Sequence, residues 1–142
     1  MTGFTDEQVW LGTWGKVWVD GELLSEATAF RADVTLNYED VTRVGNLMTG
    51  HKLTGMSGEG EITLHKVDSY VLRRISENAK RGILPDITIE SSWDDPNSAG
   101  EQRVAIKHVK FEKMSLMDWE AGNMGEESYS FTFSDYDIKN TV

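Results

Sequence analysis

Cysteine is absent from the 142-residue sequence, so the chain has no disulfide framework, no thiolate chemistry and no zinc site built on cysteine ligands. Long apolar runs are also missing, since no stretch approaches the roughly 20 residues that a membrane-spanning helix needs. The first seven residues lack the basic and apolar regions of a signal peptide. We therefore expect no membrane anchor, and we expect folding in a cytoplasm with any later release by a route other than secretion.

Basic residues are scarce relative to acidic ones. The chain has 14 Lys and Arg against 24 Asp and Glu, which gives a formal net charge of −10. This balance argues against a duplex-DNA-binding protein, which needs a basic face, and it favours solubility and repulsion of passing polyanions. The hydrophobic content of 39% is enough for a real core, so we predict that residues 1–142 form one domain.

Side chains suited to catalysis or metal binding are few. The three histidines, His51, His65 and His108, do not have the spacing of a metal-ligand pair. The stretch Gly55 to Gly60 has glutamate where a nucleophile elbow needs its second glycine, and no phosphate-loop lysine follows it. We predict no catalytic residue, no cofactor site and no metal site, and hence a protein that is not an enzyme.

Period-two alternation of apolar and polar residues is the main structural signal. Residues 29–39 alternate, with an apolar face from Phe30 to Tyr38 and a polar face from Arg31 to Glu39, and residues 59–66 alternate again. Such strands form a sheet with one dry face towards a core and one wet face towards water. Further strands are predicted over residues 12–19, 87–93, 103–114 (with a change of face near Val109) and 128–134.

Glycine and turn-forming residues separate these strands. Asp20-Gly21 predicts a type I′ hairpin turn, and residues 94–100 have the composition of a turn. Residues 40–58 contain four glycines and few large apolar side chains. We predict that they form a long mobile loop, which is functional or becomes ordered on assembly.

One amphipathic helix is predicted over residues 69–81. Asp68 suits its N-cap, an apolar stripe runs from Val71 to Ala79, and Gly82 and Pro85 prevent its continuation. A short helical turn is predicted around residues 116–121. Residues 135–142 are predicted to form a polar tail, and residues 1–9 a polar N-terminal arm.

Five tryptophans leave two interpretations open. Trp10, Trp14 and Trp18 are spaced four apart, so on one strand they share a face. With Trp93 and Trp119 they serve either as core and subunit contacts or as an exposed platform that stacks on sugar rings. A carbohydrate-binding β-sandwich is therefore the alternative function.

Short segments across residues 10–137 carry a further signal through their order and spacing. They are GTWGKVW at 12–18, DGE at 20–22, VTLNYE at 34–39, SGEG at 57–60, TLHKV at 63–67, LPD at 84–86, DWE at 118–120 and FTFSDY at 131–136. Together these segments resemble the tail-tube proteins of contractile phage tails, in particular those of PBSX-like prophages and of phage-tail-like bacteriocins.

The resemblance implies a mainly β fold, a β-sandwich or partial barrel flanked by one helix, whose strands join a continuous inner barrel in a ring. It implies hexameric rings that stack into a hollow tube inside a contractile sheath. The implied partners are further copies of the chain, the sheath protein, baseplate or tail-initiator and terminator proteins, and DNA that passes without specific binding. The tube is implied to assemble in the bacterial cytoplasm and to end in a virion or a tail-like bacteriocin.

Particular residues follow from combining the resemblance with the alternation. The helix is expected to pack on the outer side, with its exposed face towards the sheath, and the 40–58 loop is expected to contact neighbouring subunits or rings. The residues expected to face the lumen are Asp33, Thr35, Asn37, Glu39, Glu59, Glu61 and Thr63. The residues expected to act in the assembly loop are Arg43, Asn46, Met48, His51, Lys52 and Met56.

Overall fold

Eight β-strands and one short α-helix make up the part of the chain that the computed structural model describes, which is residues 3, 5–77, 79–98 and 100–141. The elements are β1 (Gly15–Val19), β2 (Glu22–Leu23), β3 (Ala27–Val41), β4 (Gly50–His65), α1 (Tyr70–Ser76), β5 (Ile87–Trp93), β6 (Gln102–Phe111), β7 (Glu126–Phe133) and β8 (Asp135–Asn140). This confirms the predicted mainly β fold with one flanking helix. None of the described helices has the length and apolar character needed to span a bilayer.

All strand pairs are antiparallel, in the order β2-β1-β5-β6-β7-β4-β3, with β8 paired to β6. Strand β6 joins two halves of the sheet, because it pairs with β5 and β8 first and then with β7 at Lys110 and Phe111. We call β1, β2, β5, β6 and β8 the A half, and β3, β4 and β7 the B half. His108, with a φ of 55°, lies at the bend, which confirms the predicted change of face near Val109.

One buried cluster joins both halves and the helix. The A half contributes residues such as Ile89, the B half contributes Ile62 and Phe131, and α1 contributes Val71 and Ile75. The two helix residues are four apart, as expected for an apolar stripe on one helix face. Burying each such side chain contributes about 1.5–3 kcal/mol, so this cluster holds the two halves and α1 together.

The first hairpin has the predicted turn. Asp20 and Gly21 have φ values of 49° and 84°, and β1 pairs with β2 through Val19 and Glu22, as in a type I′ turn. The Asp20 carboxylate also accepts hydrogen bonds from Arg74 Nε at 3.0 Å and from the Thr88 amide at 3.0 Å. The turn therefore fixes α1 and β5 relative to each other.

The first strand is shorter than predicted, because Gly12–Trp14 forms a 3-10 turn. Leu11 is held at its amide by the Asp95 carboxylate and at its carbonyl by Trp93 Nε1, each at 2.9 Å. This anchoring bends the backbone before β1 begins. Trp10 and Trp14 thus precede the strand that carries Trp18, and the prediction that the three share one strand face is wrong.

The prediction of a mobile loop over residues 40–58 is also wrong. Strand β3 continues to Val41 and β4 begins at Gly50, so the connection between the strands is only residues 42–49. A Cβ at Gly58 would lie 2.4 Å from the Phe133 ring, and one at Gly60 would lie 2.2 Å from the Arg31 carbonyl oxygen and 2.6 Å from the Phe131 ring. Glycine is required here because the β7 rings lie against the β4 backbone.

The helix is shorter than predicted. Helix α1 ends at Ser76 and a 3-10 turn follows at Ala79–Arg81, while Asn78 lies outside the described residues. Ser69 occupies the N-cap position, and the Asp68 carboxylate accepts the Tyr70 amide hydrogen bond at 3.1 Å. Gly82 follows with a φ of 77°, as predicted for the residue that ends a helix.

Two predictions for the C-terminal third are wrong. Residues 116–121 are irregular rather than helical, since their apolar side chains are exposed and a helix this short needs tertiary packing to be stable. Residues 135–140 are a strand rather than a tail, because β8 pairs with β6 and Lys107 Nζ lies 2.6 Å from an Asp137 carboxylate oxygen. Val142, in the predicted tail, and Met1, Thr2 and Phe4, in the predicted arm, lie outside the described residues.

Candidate assembly surfaces

A continuous polar face covers the side of the B half that lies opposite the core. Asp33 pairs directly with Glu59, and Ala29 with Thr63. Directly paired residues share a face, and so do residues two apart on a strand. The structure therefore brings all seven residues predicted to face the lumen onto one side of β3 and β4: Asp33, Thr35, Asn37, Glu39, Glu59, Glu61 and Thr63.

This polar face is acidic but contains basic residues that the sequence interpretation did not place there. Arg31 pairs across the strands with Glu61 and forms an ion pair with Asp33. Its hydrogen bond to Asp33 raises the pKa of Arg31, and so do the charges of Glu61 and Glu59. Lys52 lies opposite Glu39. On β3 and β4 the face thus has four carboxylates and two cations, a net charge of −2.

Strand β7 widens the polar face. Ser128, Ser130 and Thr132 pair with Thr63, Glu61 and Glu59 in turn, and the hydroxyls of Thr63 and Ser128 are 3.2 Å apart. These three residues were not among those predicted to face the lumen. They alternate with Tyr129, Phe131 and Phe133, and this alternation is the sequence signal that places them on the polar face.

The β3–β4 hairpin extends beyond the core. Val34 pairs with Gly58, and Gly58 pairs with Phe133, the last residue of β7. From Val34 to Val41 the two strands run on without β7, over about 25 Å. The core-side face of this overhang stays apolar and exposed, with Val34 36% and Leu36 47% exposed. Exposed apolar patches of this kind mark interaction surfaces. The other apolar residues of the overhang are Tyr38, Leu53 and Met56.

The six residues predicted to act in an assembly loop divide between two elements. Arg43, Asn46 and Met48 lie in the true loop, where the Asn46 side-chain oxygen accepts the Met48 amide hydrogen bond at 3.0 Å. The other three lie on β4, where His51 Nδ1 is 3.0 Å from an Asp40 oxygen. They are His51, Lys52 and Met56. The loop also carries Val44 and Leu47, which are fully exposed and which the sequence analysis did not select.

A second exposed apolar segment runs between β6 and β7. The Glu112 amide donates to the Ser130 carbonyl at 2.9 Å, and the Lys66 amide donates to the Gly125 carbonyl at 2.8 Å, so the segment leaves the sheet beside Ser130 and rejoins it next to the end of β4. Trp119 is 77% exposed. An open cleft of about 550 Å³ separates the segment from the polar face. The remaining exposed apolar residues are Leu116, Met117 and Met124.

The tryptophans lie outside the buried core. Trp10 and Trp93 pack edge to face at 5.5 Å between ring centroids, and the Arg103 guanidinium lies 5.0 Å from the Trp18 ring. A cleft of about 330 Å³ beside them includes Trp14 in its lining. The interpretation as core residues is therefore wrong, and the two others, subunit contacts and a sugar platform, stay predictions.

Two histidines each face a single carboxylate. His51 pairs with Asp40, and His108 Nδ1 lies 3.2 Å from an Asp86 oxygen, with all four side chains exposed. Among the described residues, no three His, Asp or Glu side chains are grouped so as to hold a metal ion.

Comparison with known proteins gives matches over nearly the whole chain. A family model described as phage tail tube protein matches residues 3–140. Phage-like element PBSX protein XkdM of Bacillus subtilis (strain 168) is 35% identical over 130 residues, which is 89% of this chain and 88% of that protein.

Two solved structures share the fold at low sequence identity. A chain of the sheath–tube complex of the extracellular contractile injection system PVC, in its extended state, matches with a TM-score of 0.66 at 10% identity, over 89% of this chain and 88% of that chain. A chain of the sheath/tube terminator of the same system matches with a TM-score of 0.67 at 9% identity, over 98% of both chains.

Proposed function

This chain belongs to the phage tail tube protein family, and from that premise we propose that it forms stacked hexameric rings with the polar face of the B half lining the lumen. The resemblance found in the sequence is confirmed at the level of the family, and the chain is a component of a tail particle. The observation that supports the lumen assignment best is the continuous polar face of β3, β4 and β7. Wide β-barrels that enclose water have such a face inside.

Ring closure follows from the edges of the B half. Strand β3 has 15 residues and pairs only with β4 among the described strands. An edge of this length is a template for pairing with another chain. On the opposite side of the B half, β7 pairs with β6 only at Phe131 and Thr132. Pairing the β3 edge of one subunit with the β7 side of the next is a heterologous contact, and such a contact gives a ring when the rotation from one subunit to the next closes.

The lumen of this ring is acidic. The net charge of −2 on the polar faces of β3 and β4 becomes about −12 in six subunits, which repels a polyanion within about a Debye length, ~8 Å at physiological ionic strength. DNA would then pass without specific binding. The role is structural rather than enzymatic.

The partners follow from the neighbours of the tube in related particles. The fold matches include chains from a sheath–tube complex and from a sheath/tube terminator. We assign the sheath to the outside of the ring, next to the exposed face of α1, and we assign a tail initiator and a terminator to the tube ends. Rings assemble in the bacterial cytoplasm before they enter a virion or a tail-like bacteriocin.

Negative-stain electron microscopy of the purified chain over a concentration series tests this proposal. We expect rings or hollow tubes of uniform width, with sixfold symmetry in end-on class averages. A tail initiator is added in a parallel series, since nucleation can limit assembly. Small monodisperse particles at the highest concentration, with initiator present, contradict the proposal.

A further inference from the structure

Two exposed loops lie at opposite ends of the B half. The tip loop, residues 42–49, connects β3 to β4, and the flank loop, residues 112–125, connects β6 to β7. Strand β4 starts beside the tip loop at Gly50 and ends at His65, opposite Glu126. There the flank loop rejoins the sheet, because the Gly125 carbonyl accepts the Lys66 amide. Sixteen residues of strand, about 50 Å, separate the tip loop from the end of the flank loop. The flank loop begins at Glu112 beside Ser130, opposite Glu61, which is 11 residues or about 35 Å along β4 from Gly50.

Both loops present apolar side chains to solvent. In the tip loop Val44 and Leu47 are fully exposed, and Met48 is largely exposed. In the flank loop Trp119 and Met124 are largely exposed as well. Single exposed apolar residues are ordinary, but clusters of them mark contact surfaces. Because about 35 Å or more of strand lies between the loops, they cannot cover each other within one chain.

The loops carry opposite charge. Arg43 is the only charged residue of the tip loop, and at the base of that loop Glu39 lies opposite Lys52 while an Asp40 oxygen lies 3.0 Å from His51 Nδ1. The tip loop therefore has a charge of +1. The flank loop has three acids and one base, a charge of −2. Those residues are Glu112, Asp118 and Glu120, with Lys113.

We propose that the tip loop of one copy of this chain docks on the flank loop of the copy in the next ring. This docking rests on the proposed tube function, and it assigns the flank loop as the surface that receives the tip loop of the β3–β4 hairpin. Each copy keeps one free tip loop and one free flank loop at opposite ends, so the contact is heterologous and propagates along a single direction.

The side chains have defined roles in this contact. Trp119 provides the aromatic anchor, a residue type that often dominates interface energies, and it packs against the apolar residues of the tip loop. Asp118 and Glu120 flank the anchor in sequence and receive Arg43. Complementary charge of this kind fixes the register of two surfaces and speeds their encounter.

Cysteine cross-linking tests the contact directly, because the natural chain has no cysteine. The variant Leu47→Cys with Met117→Cys, which keeps the Trp119 anchor and uses an equally exposed position of the flank loop, is oxidised at high protein concentration and is expected to give a ladder of covalent oligomers on a denaturing gel. Each single-cysteine variant can give at most dimers. A matched control pairs Leu47→Cys with Ile83→Cys, since Ile83 is also exposed but lies outside both loops.

Charge exchange provides a second readout that does not depend on oxidation. Arg43→Glu is expected to raise the critical concentration for tube formation by about tenfold, measured by pelleting. Adding Asp118→Lys and Glu120→Lys to that variant is expected to restore assembly towards the original value. A ladder confined to the Leu47–Met117 pair, together with this restoration, supports the docking.

The possible failures are distinguishable. If the natural chain forms tubes but the cysteine pair gives no ladder and Arg43→Glu assembles normally, the loop docking is wrong and the tube function stands. If the natural chain forms neither tubes nor rings, and the cysteine pair gives no ladder, both proposals are wrong.

Discussion

Placing charge on the apolar side of the β3–β4 overhang should abolish assembly while leaving the chain folded. The change is Val34→Lys together with Leu36→Lys. The matched control is Thr35→Lys together with Asn37→Lys, which adds the same two charges to the same strand. The control side chains lie on the polar face of the B half, which the proposed function exposes to water in the lumen.

The expected magnitude follows from the exposure of the two residues in the single chain. Val34 is 36% and Leu36 is 47% exposed. Fully burying such a side chain contributes about 1.5–3 kcal/mol, so covering the part still exposed contributes about 1 kcal/mol per residue. Losing both contributions costs about 2 kcal/mol per subunit, or roughly 30-fold in the concentration needed for assembly. The desolvation of two unpaired ammonium groups adds to this cost.

Two measurements separate folding from assembly. Urea titration of the dilute chain should show a free energy of unfolding within about 1–2 kcal/mol of the original for both double variants, because these side chains are partly exposed before assembly. Pelleting across a concentration series should show tubes for the control and none for Val34→Lys with Leu36→Lys. Tubes formed by that variant at the original concentration would refute the assignment of the two faces.

The other predictions concern folding and ionisation in the single chain. Gly60→Ala should lower the free energy of unfolding by about 1–3 kcal/mol in urea, because its Cβ would overlap a carbonyl oxygen and an aromatic ring, whereas Gly55→Ala, with no contact nearer than 4.0 Å, should change it little. Asp20→Ala should cost about 2 kcal/mol in the same titration, because it removes the acceptor of two hydrogen bonds. Lys107→Ala should raise the pKa of Asp137, which its hydrogen bond and charge hold below the ordinary 3.8. A carboxyl group whose pKa is lowered in the folded chain stabilises the fold at pH values above its ordinary pKa, and this stabilisation is lost as the pH falls through the lowered pKa. Carboxyl NMR shifts of Asp137 followed against pH would measure the change.

The polar and apolar faces of β3 could be predicted because alternation is a local property of the sequence. Side chains two apart lie on one face whatever the rest of the chain does. This is why Asp33 and Glu59 were assigned correctly to one surface. The basic residues on that surface, Arg31 and Lys52, were not assigned to it, although Arg31 follows from the same alternation.

The full length of strand β4 could not be predicted, because its glycines are required by contacts with residues that come much later in the chain. Gly58 and Gly60 make room for the Phe133 and Phe131 rings, which lie more than 70 positions later in the sequence. Local composition alone makes a glycine-rich segment look like a loop. Strand β8 was missed for a related reason, since all its residues are exposed and its position depends on pairing with β6.

Nor does alternation reveal where the chain's own core ends. The apolar face of β3 is uniform from Phe30 to Tyr38, yet Phe30 packs against the core while Tyr38 is exposed. The difference arises because β3 and β4 have 15 and 16 residues, whereas β7 has 8. A single chain therefore cannot cover the whole apolar face of β3 and β4. An overhang of this kind is stable in water only while its apolar patch is small and the net charge of −10 keeps copies apart. In the tube that we propose, contact with another copy removes the patch from water, so the mismatch in strand length that leaves the subunit incomplete is also the driving force for that assembly.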